Sequence, residues 1–286
     1  MQTAPPTTWW PSQWGAGDQL GMLNHVTDEK RLQAMSLVRR GRLYDLGRVI
    51  DEHVPVFPGR AFHQTLVTTA HHANMGGVGD NRVNWVTEVI SGTTQLGTHI
   101  DALSHLQIGD RAYNGFHVCD FASPAGVTAL GVETVPQIVT RGLLIDVSGR
   151  DLGPGGVIGL DDVEGIEPEP GDAVFFHTGW GVHWDDAQAY LVGEPGPGCD
   201  VALWLVEHGV ALTGCDTWSY GPVPAEDPER PFEVPQILNA HHGVFVVENL
   251  DTSELAADGV REFALILTHP KLRGATGAWT SPVALC

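Results

Sequence analysis

Hydrophobic and polar positions along the chain predict many short strands. Five short apolar runs have the length of buried strands, and residues 84–90 alternate as a half-exposed strand does. The apolar runs are residues 143–147, 173–177, 210–213, 244–247 and 263–267. Residues 43–46 predict one further strand, followed by a turn between Pro55 and Pro58. Taken with the helical patterns below, this periodicity predicts a mixed α and β fold.

Helical patterns are fewer. Thr27 is a suitable N-cap for a first helix, which Gly41 ends. The apolar residues spaced to form its buried face are Leu32, Met35, Leu37 and Val38. Residues 202–208 predict a second helix that stops at Gly209, and residues 160–166 predict a short one.

The domain organisation follows from what interrupts these patterns. No internal repeat and no linker divides the sequence, which predicts a single domain over residues 1–286. Residues 1–21, rich in Pro, Gly and Trp, predict an extended N-terminal arm. Its tryptophans, Trp9, Trp10 and Trp14, are expected to pack on the body of the protein or on a neighbouring subunit, since a short arm cannot bury them itself.

Composition excludes several classes of function. The chain has 35 acidic and 15 basic residues, a net charge of −20, which repels phosphate backbones and anionic membranes. It lacks an 18-residue apolar run and a signal peptide, so we expect a cytoplasmic protein. The four cysteines form no CxxC pair, which favours reduced thiols over disulfides or a structural zinc site. Nucleic-acid and membrane partners are therefore not expected.

Residues 95–105 concentrate metal-ligand chemistry. His99 and Asp101 are two residues apart, so in an extended segment their side chains point to one face. Asp101 and His105 are four apart and would share a face if Ala102 began a helix. Gly97 lets the backbone approach a bound ion closely. The spacing alone fits two alternatives: a divalent metal site, or a buried structural histidine with Asp101 as a helix N-cap.

The same stretch resembles a known family. Residues 97–105 read Gly-Thr-His-x-Asp-x-x-x-His, which resembles the signature of the cyclase family that includes bacterial kynurenine formamidase and isatin hydrolase. The agreement continues, in the same order, through residues 18–24, 113–115, 141–147, 171–172, 248–250 and 274–277. This resemblance implies the swivelling β/β/α fold, with mixed sheets and few helices. It also implies a small-molecule substrate and a homo-oligomer, either a dimer or a tetramer.

The resemblance further implies the metal ligands. His99 and Asp101 match ligands of the family, and Glu248 matches a later acid. Gln95 and Gln236, however, stand where members with two metal ions have histidines. An amide oxygen is a harder donor than imidazole, which favours Mn²⁺ or Mg²⁺ over Zn²⁺. Because only two carboxylates are present to offset the charge, the prediction is one divalent ion, with Mn²⁺ favoured and Zn²⁺ the second choice. The predicted ligands of this ion are His99, Asp101, Gln95, Glu248 and Gln236.

The predicted reaction follows from these groups. A divalent ion can lower the pKa of water from about 15.7 toward 7 and so supply a nucleophile at neutral pH. His105 matches the family's general acid/base. We therefore predict hydrolysis of an amide, lactam, imide or lactone. Two alternatives stay open: a metal-assisted cyclase or isomerase, and a small-molecule-binding homologue that has lost catalysis.

Aromatic and histidine residues outside the motif are candidates for substrate contacts. His71 and His72 lie in a Gly- and His-rich loop within residues 59–82. Trp85 lies within the predicted strand at residues 84–90, and Trp180 and Trp218 follow predicted strands. These five side chains predict an aromatic-friendly pocket, although ordinary packing or an incidental loop position explains each of them as well.

Overall fold

The computed structural model describes residues 9–67 and 77–286. Its strands are β1 (Leu43–Asp45), β2 (Phe62–Val67), β3 (Thr87–Gly92), β4 (His99–Asp101), β5 (Ala122–Ser123), β6 (Gly126–Val127), β7 (Ile138–Asp146), β8 (Val157–Ile158), β9 (Ala173–His177), β10 (Gly196–Pro197), β11 (Leu212–Cys215), β12 (Phe245–Glu248), β13 (Glu262–Leu267), β14 (Gly277–Trp279) and β15 (Val283–Leu285). Its α-helices are α1 (Asp28–Met35), α2 (Val118–Phe121), α3 (Ala187–Tyr190), α4 (Cys199–Glu207), α5 (Glu233–Pro235) and α6 (Ser253–Ala257). A π-helix, Gln236–His242, follows α5 directly.

Nine of the strands form one mixed sheet, in the order β1-β15-β13-β7-β9-β11-β12-β4-β14. Strands β7, β9, β11 and β12 lie side by side and are parallel, whereas β4 pairs antiparallel with both β12 and β14. Parallel strands are usually covered on both faces, and here β9, β11 and β12 are almost entirely buried. The polar residues that end β9, β11 and β12 therefore come together at one edge of the sheet.

The predicted strands are present with shifted ends. The run at residues 173–177 is β9, with the predicted bounds. The runs at 244–247 and 263–267 are β12 and β13, which differ from the prediction by one residue at one or both ends. The largest difference is β7, which begins at Ile138, well before the apolar run predicted at residues 143–147. Residues from Ile138 to Gly142 extend the strand because β13 pairs with them along its length. The helix predicted before Gly209 is α4, which starts at Cys199.

The predicted buried face of the first helix is wrong. The side chain of Thr27 does accept a hydrogen bond from the Lys30 backbone N–H, so its role as N-cap is confirmed. The helix, however, ends at Met35, and Leu32 is 72% exposed. Lys30 is buried instead, because its ammonium group lies 2.5 Å from the buried Asp172 carboxylate at the start of β9. Charge pairing with the sheet thus orients α1.

The described part of the N-terminal arm, from Trp9 onward, packs on its own chain. The Trp10 ring lies against Gly115 and 5.7 Å from the Arg111 guanidinium, and Trp9 contacts His241 edge-on. Asn114 accepts a hydrogen bond from the backbone of the arm at Ser12. Of the two predicted surroundings for these tryptophans, the structure shows the body of the same chain.

Strands β2 and β3 form a separate antiparallel hairpin. All six residues of β3 are exposed, so the alternation at residues 84–90 does not reflect one buried face. The exposed apolar side chains of this hairpin include Leu66, Val89 and Ile90. Nowhere in residues 9–67 and 77–286 does a helix have both the length and the apolar character needed to span a membrane.

Candidate metal centre and pocket

Strand pairing builds a cluster of three ligating side chains. In the antiparallel register of β12 and β4, Glu248 lies directly opposite His99. Asp101 is two residues along β4, so its side chain points to the same face as His99. One donor atom from each of the three residues lies within 4.8 Å of the others. The pairing of β12 with β4 therefore joins residues that are about 150 positions apart.

His99 presents a lone pair to both carboxylates. Its Nδ1 lies 2.9 Å from the carbonyl oxygen of Gly97, which can only accept, so Nδ1 carries the proton of the neutral ring. Its Nε2 lies 3.2 Å from Glu248 Oε2 and 3.6 Å from Asp101 Oδ1. A hydrogen bond from the second nitrogen commonly fixes the orientation of a metal-binding histidine in this way.

The three groups fit a divalent cation. His99 Nε2 and Asp101 Oδ1 are buried without a hydrogen-bond partner in the described part of the chain. Ligand atoms about 2.1 Å from one ion lie roughly 3.0 to 3.4 Å from each other, close to the separations seen here. Two carboxylates and a neutral imidazole carry a charge of about −2, which one divalent ion balances. Burial of these groups makes such a balancing charge necessary.

The pKa shifts of His99 and Asp101 also indicate that the cluster favours a cation. Burial would lower the pKa of His99, but Glu248 and Asp101 outweigh it and raise that pKa. Burial raises the pKa of Asp101, against the opposing effect of His105 and with a further increase from Glu248. Both directions mean that the cluster gains stability by holding a positive charge, either protons or a metal ion.

Two glycines make room for the cluster. Gly97 has a φ of +56°, and a Cβ there would lie 2.6 Å from Ile50 Cγ1. A Cβ on Gly277, opposite Asp101 in β14, would lie 2.7 Å from the Gln95 amide nitrogen and 2.9 Å from the Ile100 carbonyl oxygen. Gly277 therefore lets the Gln95 side chain lie beside β4.

His105 reaches the cluster from a turn. Ala102 does not begin a helix, because residues 102–105 form a turn closed by a hydrogen bond from His105 N–H to the Ala102 carbonyl. The turn still brings His105 Nε2 to 3.9 Å from Asp101 Oδ2. His105 is partly exposed, at 24% for its side chain, and faces the pocket described below.

The two glutamines lie near this centre with their amides engaged. Gln95 is buried, accepts from the Thr94 hydroxyl and donates to the Thr276 hydroxyl. Gln236, at the start of the π-helix, donates through Nε2 to the Gln107 carbonyl at 2.8 Å. Gln236 thus anchors the turn that carries His105. The roles of both residues as metal ligands stay predictions.

A cleft of about 160 Å³ opens onto the cluster. It is lined by Phe57, Arg60, Asp101, His105, Leu106, Trp218, Ser219, Phe232, Pro235 and Glu248. The Trp218 ring packs 5.5 Å from Phe57 and 6.5 Å from Phe232, measured between centroids. Trp218 Nε1 is buried and has no partner within the described residues. The cleft therefore joins an aromatic wall to a group of carboxylates and imidazoles.

Glu194 anchors the backbone of this aromatic wall. Its buried carboxyl group accepts hydrogen bonds from the backbone N–H groups of Trp218 and Ser219, at 2.7 and 3.1 Å. Burial raises the pKa of Glu194 well above its ordinary value, and the nearby Glu248 adds to this increase. The backbone of Glu194 also pairs with Val223 in both directions.

The other predicted substrate contacts lie elsewhere. Trp180 is 8% exposed, donates its indole N–H to the Tyr190 carbonyl, and shares a buried cluster with Tyr190 and Trp218. Trp85 is 47% exposed and is not among the residues lining the cleft. His71 and His72 lie outside the described residues. Of the three candidates that the structure describes, Trp218 lines the cleft.

Sequence reasoning missed three large side chains of the cleft. Arg60 donates to the Gln95 carbonyl at 2.5 Å and holds a positive charge near Asp101. Phe57 and Arg60 flank the turn at Pro58. The predicted turn was the feature of the sequence that could have indicated that this segment bends toward the metal centre. Phe232 adopts a φ of +56°, a strained conformation for a bulky residue, and no sequence pattern indicates it.

Comparisons with known proteins agree with this architecture. A family model described as "Putative cyclase" matches residues 44–222, more than half of the chain. The solved structure of a novel cyclase is 30% identical, with a TM-score of 0.85 over 96% of this chain and 98% of the other. Isatin hydrolase A from Ralstonia solanacearum is 20% identical, with a TM-score of 0.63 over 85% and 91%. Isatin hydrolase A from Labrenzia aggregata, bound to benzyl benzoate, is 21% identical, with a TM-score of 0.64 over 90% and 98%.

No curated protein sequence matches the chain. The structural similarity confirms the predicted α/β fold, the swivelling β/β/α arrangement with a mixed sheet and few helices. The range that the family model matches includes the 97–105 motif. On this evidence, the chain belongs to the cyclase family.

Proposed function

We propose that this protein is a metal-dependent hydrolase that opens an amide, lactam, imide or lactone bond of a small molecule. The observation that carries the proposal is the buried cluster of His99, Asp101 and Glu248 at the floor of an aromatic cleft. The similarity in fold to proteins named isatin hydrolases is consistent with this reaction class.

His99, Asp101 and Glu248 would hold one divalent ion. Two of the three donors are carboxylates, which favours a hard ion such as Mn²⁺ over Zn²⁺. When bound, the ion supplies electrophilic activation of a carbonyl group and makes water acidic enough to act as a nucleophile near neutral pH. Arg60 adds a further positive charge near Asp101, which disfavours a second ion.

The remaining work belongs to the side chains of the cleft. His105 Nε2 is placed beside Asp101 and faces the cleft, so it can exchange a proton with the nucleophile or with the leaving group. The Arg60 guanidinium can pair with the carboxylate that hydrolysis produces. Phe57, Trp218 and Phe232 can pack on a flat substrate and exclude water from it.

Metal analysis and a substrate screen test the proposal. Protein loaded with Mn²⁺ and then freed of excess ion is expected to retain about one ion per chain, and Glu248→Gln to retain less. Glu254→Gln is the matched control, because Glu254 is 76% exposed and lies in a surface helix. A ratio near two, or an unchanged ratio in Glu248→Gln, contradicts the assigned site.

The screen uses cyclic amides, imides and lactones, each with and without a chelator. Ring opening that requires the ion supports hydrolysis, and full activity in chelator contradicts it. The corresponding open-chain acids are assayed in parallel, because ring closure without ring opening would identify the cyclase alternative. A metal-loaded protein that binds these compounds but turns none over would instead be a binding homologue.

A further inference from the structure

A second cavity, of about 310 Å³, lies at the carboxyl ends of β9 and β11. It is lined by Arg48, His177, Gly179, Gly181, Val182, Asp216, Asp251, Thr252 and Ser253, and it shares no lining residue with the aromatic cleft. Ligands of open α/β sheets commonly bind at the carboxyl ends of parallel strands. The cavity therefore occupies a favourable place for a second ligand.

Arg48 is buried in this cavity with most of its donors unused. Its side chain is 9% exposed and its guanidinium stacks 4.9 Å from the Trp184 ring. Nη2 donates to the Leu250 carbonyl at 3.2 Å, but Nη1 lies 3.8 Å from Asp251 Oδ2, beyond hydrogen-bond distance. Nε is buried without a partner in the described part of the chain. Because a guanidinium has five N–H donors, such burial is costly unless a ligand accepts from it.

His177 presents a second unused donor. Its Nδ1 lies 2.8 Å from the Thr252 hydroxyl and 3.4 Å from Asp216 Oδ2. Since both neighbours use Nδ1, Nε2 is left for the cavity. The arrangement is not a nucleophilic triad, which needs the carboxylate on one ring nitrogen and the hydroxyl on the other. Burial would lower the pKa of His177, but Asp216 outweighs it, with smaller help from Asp146 and Asp251, so the imidazolium form is stabilised.

The carboxylates of the cavity are already engaged. Asp216 accepts from the backbone N–H and hydroxyl of Thr178 and from the backbone N–H of Gly179. Asp251 is more exposed, at 37%, and its Oδ1 accepts from the backbone and hydroxyl of Ser253. The cavity thus offers free donors on its cations, while most of its acceptors are occupied.

We propose that this cavity binds a small oxyanion, a carboxylate or a phosphate, between the Arg48 guanidinium and Nε2 of His177. Hydrogen bonds connect this site to residues next to the metal centre. The Arg48 backbone N–H donates to the Thr98 hydroxyl, which donates to the Asn249 carbonyl. Thr98 and Asn249 are the chain neighbours of His99 and Glu248.

Calorimetric titration with inorganic phosphate and, separately, with acetate tests the proposal. The metal-loaded protein is expected to bind one anion per chain, and the anion that binds identifies the source. Arg48→Gln should weaken binding about tenfold or more, because a charge-assisted hydrogen bond is lost. Arg261→Gln is the control, because Arg261 is 59% exposed and lines a different cavity.

Two results would overturn the proposal. One is the absence of saturable binding of either anion up to about 10 mM, which corresponds to a negligible affinity. The other is binding that His99→Ala abolishes and Arg48→Gln leaves intact, since the anion would then lie at the metal centre. If Arg48→Gln does not fold, the His177 imidazole resonances of the native protein decide: a saturable shift on adding anion supports the site, and no shift contradicts it.

Discussion

His99 and His105 belong to the same motif but have different surroundings. His99 is fully buried, and its Nδ1 is held by the Gly97 carbonyl. His105 is on a turn, partly exposed to the cleft, and contacts one cluster residue at 3.9 Å. A ligand needs a fixed lone pair, whereas a proton carrier needs access to the substrate. From these two environments we propose that His99 binds the metal and that His105 transfers the proton.

We expect His99→Ala to lose metal and activity together. The expected result for His105→Ala is different: metal content stays near the native level while turnover falls by about 10² to 10⁴, roughly 3 to 5 kcal/mol of barrier. Metal analysis and steady-state kinetics on both variants measure this. The assignment is reversed if His105→Ala loses the ion and His99→Ala keeps it.

At the scale of elements, helix α1 is fixed to the sheet by charge. Lys30 pairs with Asp172 at 2.5 Å, and Asp172 is also 3.2 Å from Arg141. Lys30→Ala should lower the free energy of unfolding by about 3 kcal/mol, because it removes one partner of a buried ion pair. Leu32→Ala, at a 72% exposed position on the same helix, should change it by less than about 0.5 kcal/mol. Urea denaturation of both variants measures this, and equal effects would contradict charge anchoring.

His177 and Asp216, at the ends of β9 and β11, predict that the stability of the protein depends on pH. Burial would raise the pKa of Asp216, but His177 and Thr178 outweigh this effect and hold the pKa below 3.8. The contribution of Asp216 to folding stability is therefore present above pH 3.8 and is lost as the pH falls through the lowered pKa. The pKa of His177 is raised above 6.5. The contribution of His177 to folding stability is therefore fully present below pH 6.5 and is lost as the pH rises through the raised pKa. The pair is therefore most stabilising between 3.8 and 6.5.

The measurement is urea unfolding of the native protein and of His177→Gln at pH 5 and above pH 8. The stability difference between them is expected to shrink at the higher pH. His53→Gln serves as control, since His53 is 83% exposed. A difference that is equal at both pH values would show that His177 stabilises the fold by packing alone.

At the scale of the whole molecule, we propose a homo-oligomer, most simply a dimer. The sequence suggested this partly through the N-terminal tryptophans, which pack on their own chain. The β2–β3 hairpin now gives a stronger reason, because Leu66 and Val89 are 60% and 59% exposed on a two-stranded sheet. An isolated hairpin is only marginally stable in water, and apolar patches of this kind commonly mark interfaces. Sedimentation at micromolar concentration measures the assembly, and a monomer would count against it.

The sequence by itself predicted the buried strands at the centre of the large sheet and two of the three residues of the candidate centre. The apolar runs at β9, β12 and β13 have the length and composition of buried strands. The motif at residues 97–105 places His99 and Asp101 on one face, because alternation along a strand is a local property of the backbone. Local geometry also specified the Thr27 cap.

Only the tertiary structure decided which distant residues meet. Glu248 lies opposite His99 because β12 pairs with β4, and register between strands distant in sequence is set by the whole sheet. Arg60 and Phe232 reach the cleft from loops, whose direction no periodicity encodes. The buried face of α1 also depended on a partner, since Lys30 is buried only because Asp172 lies beneath it. In α1, long-range charge pairing outweighed the local apolar spacing.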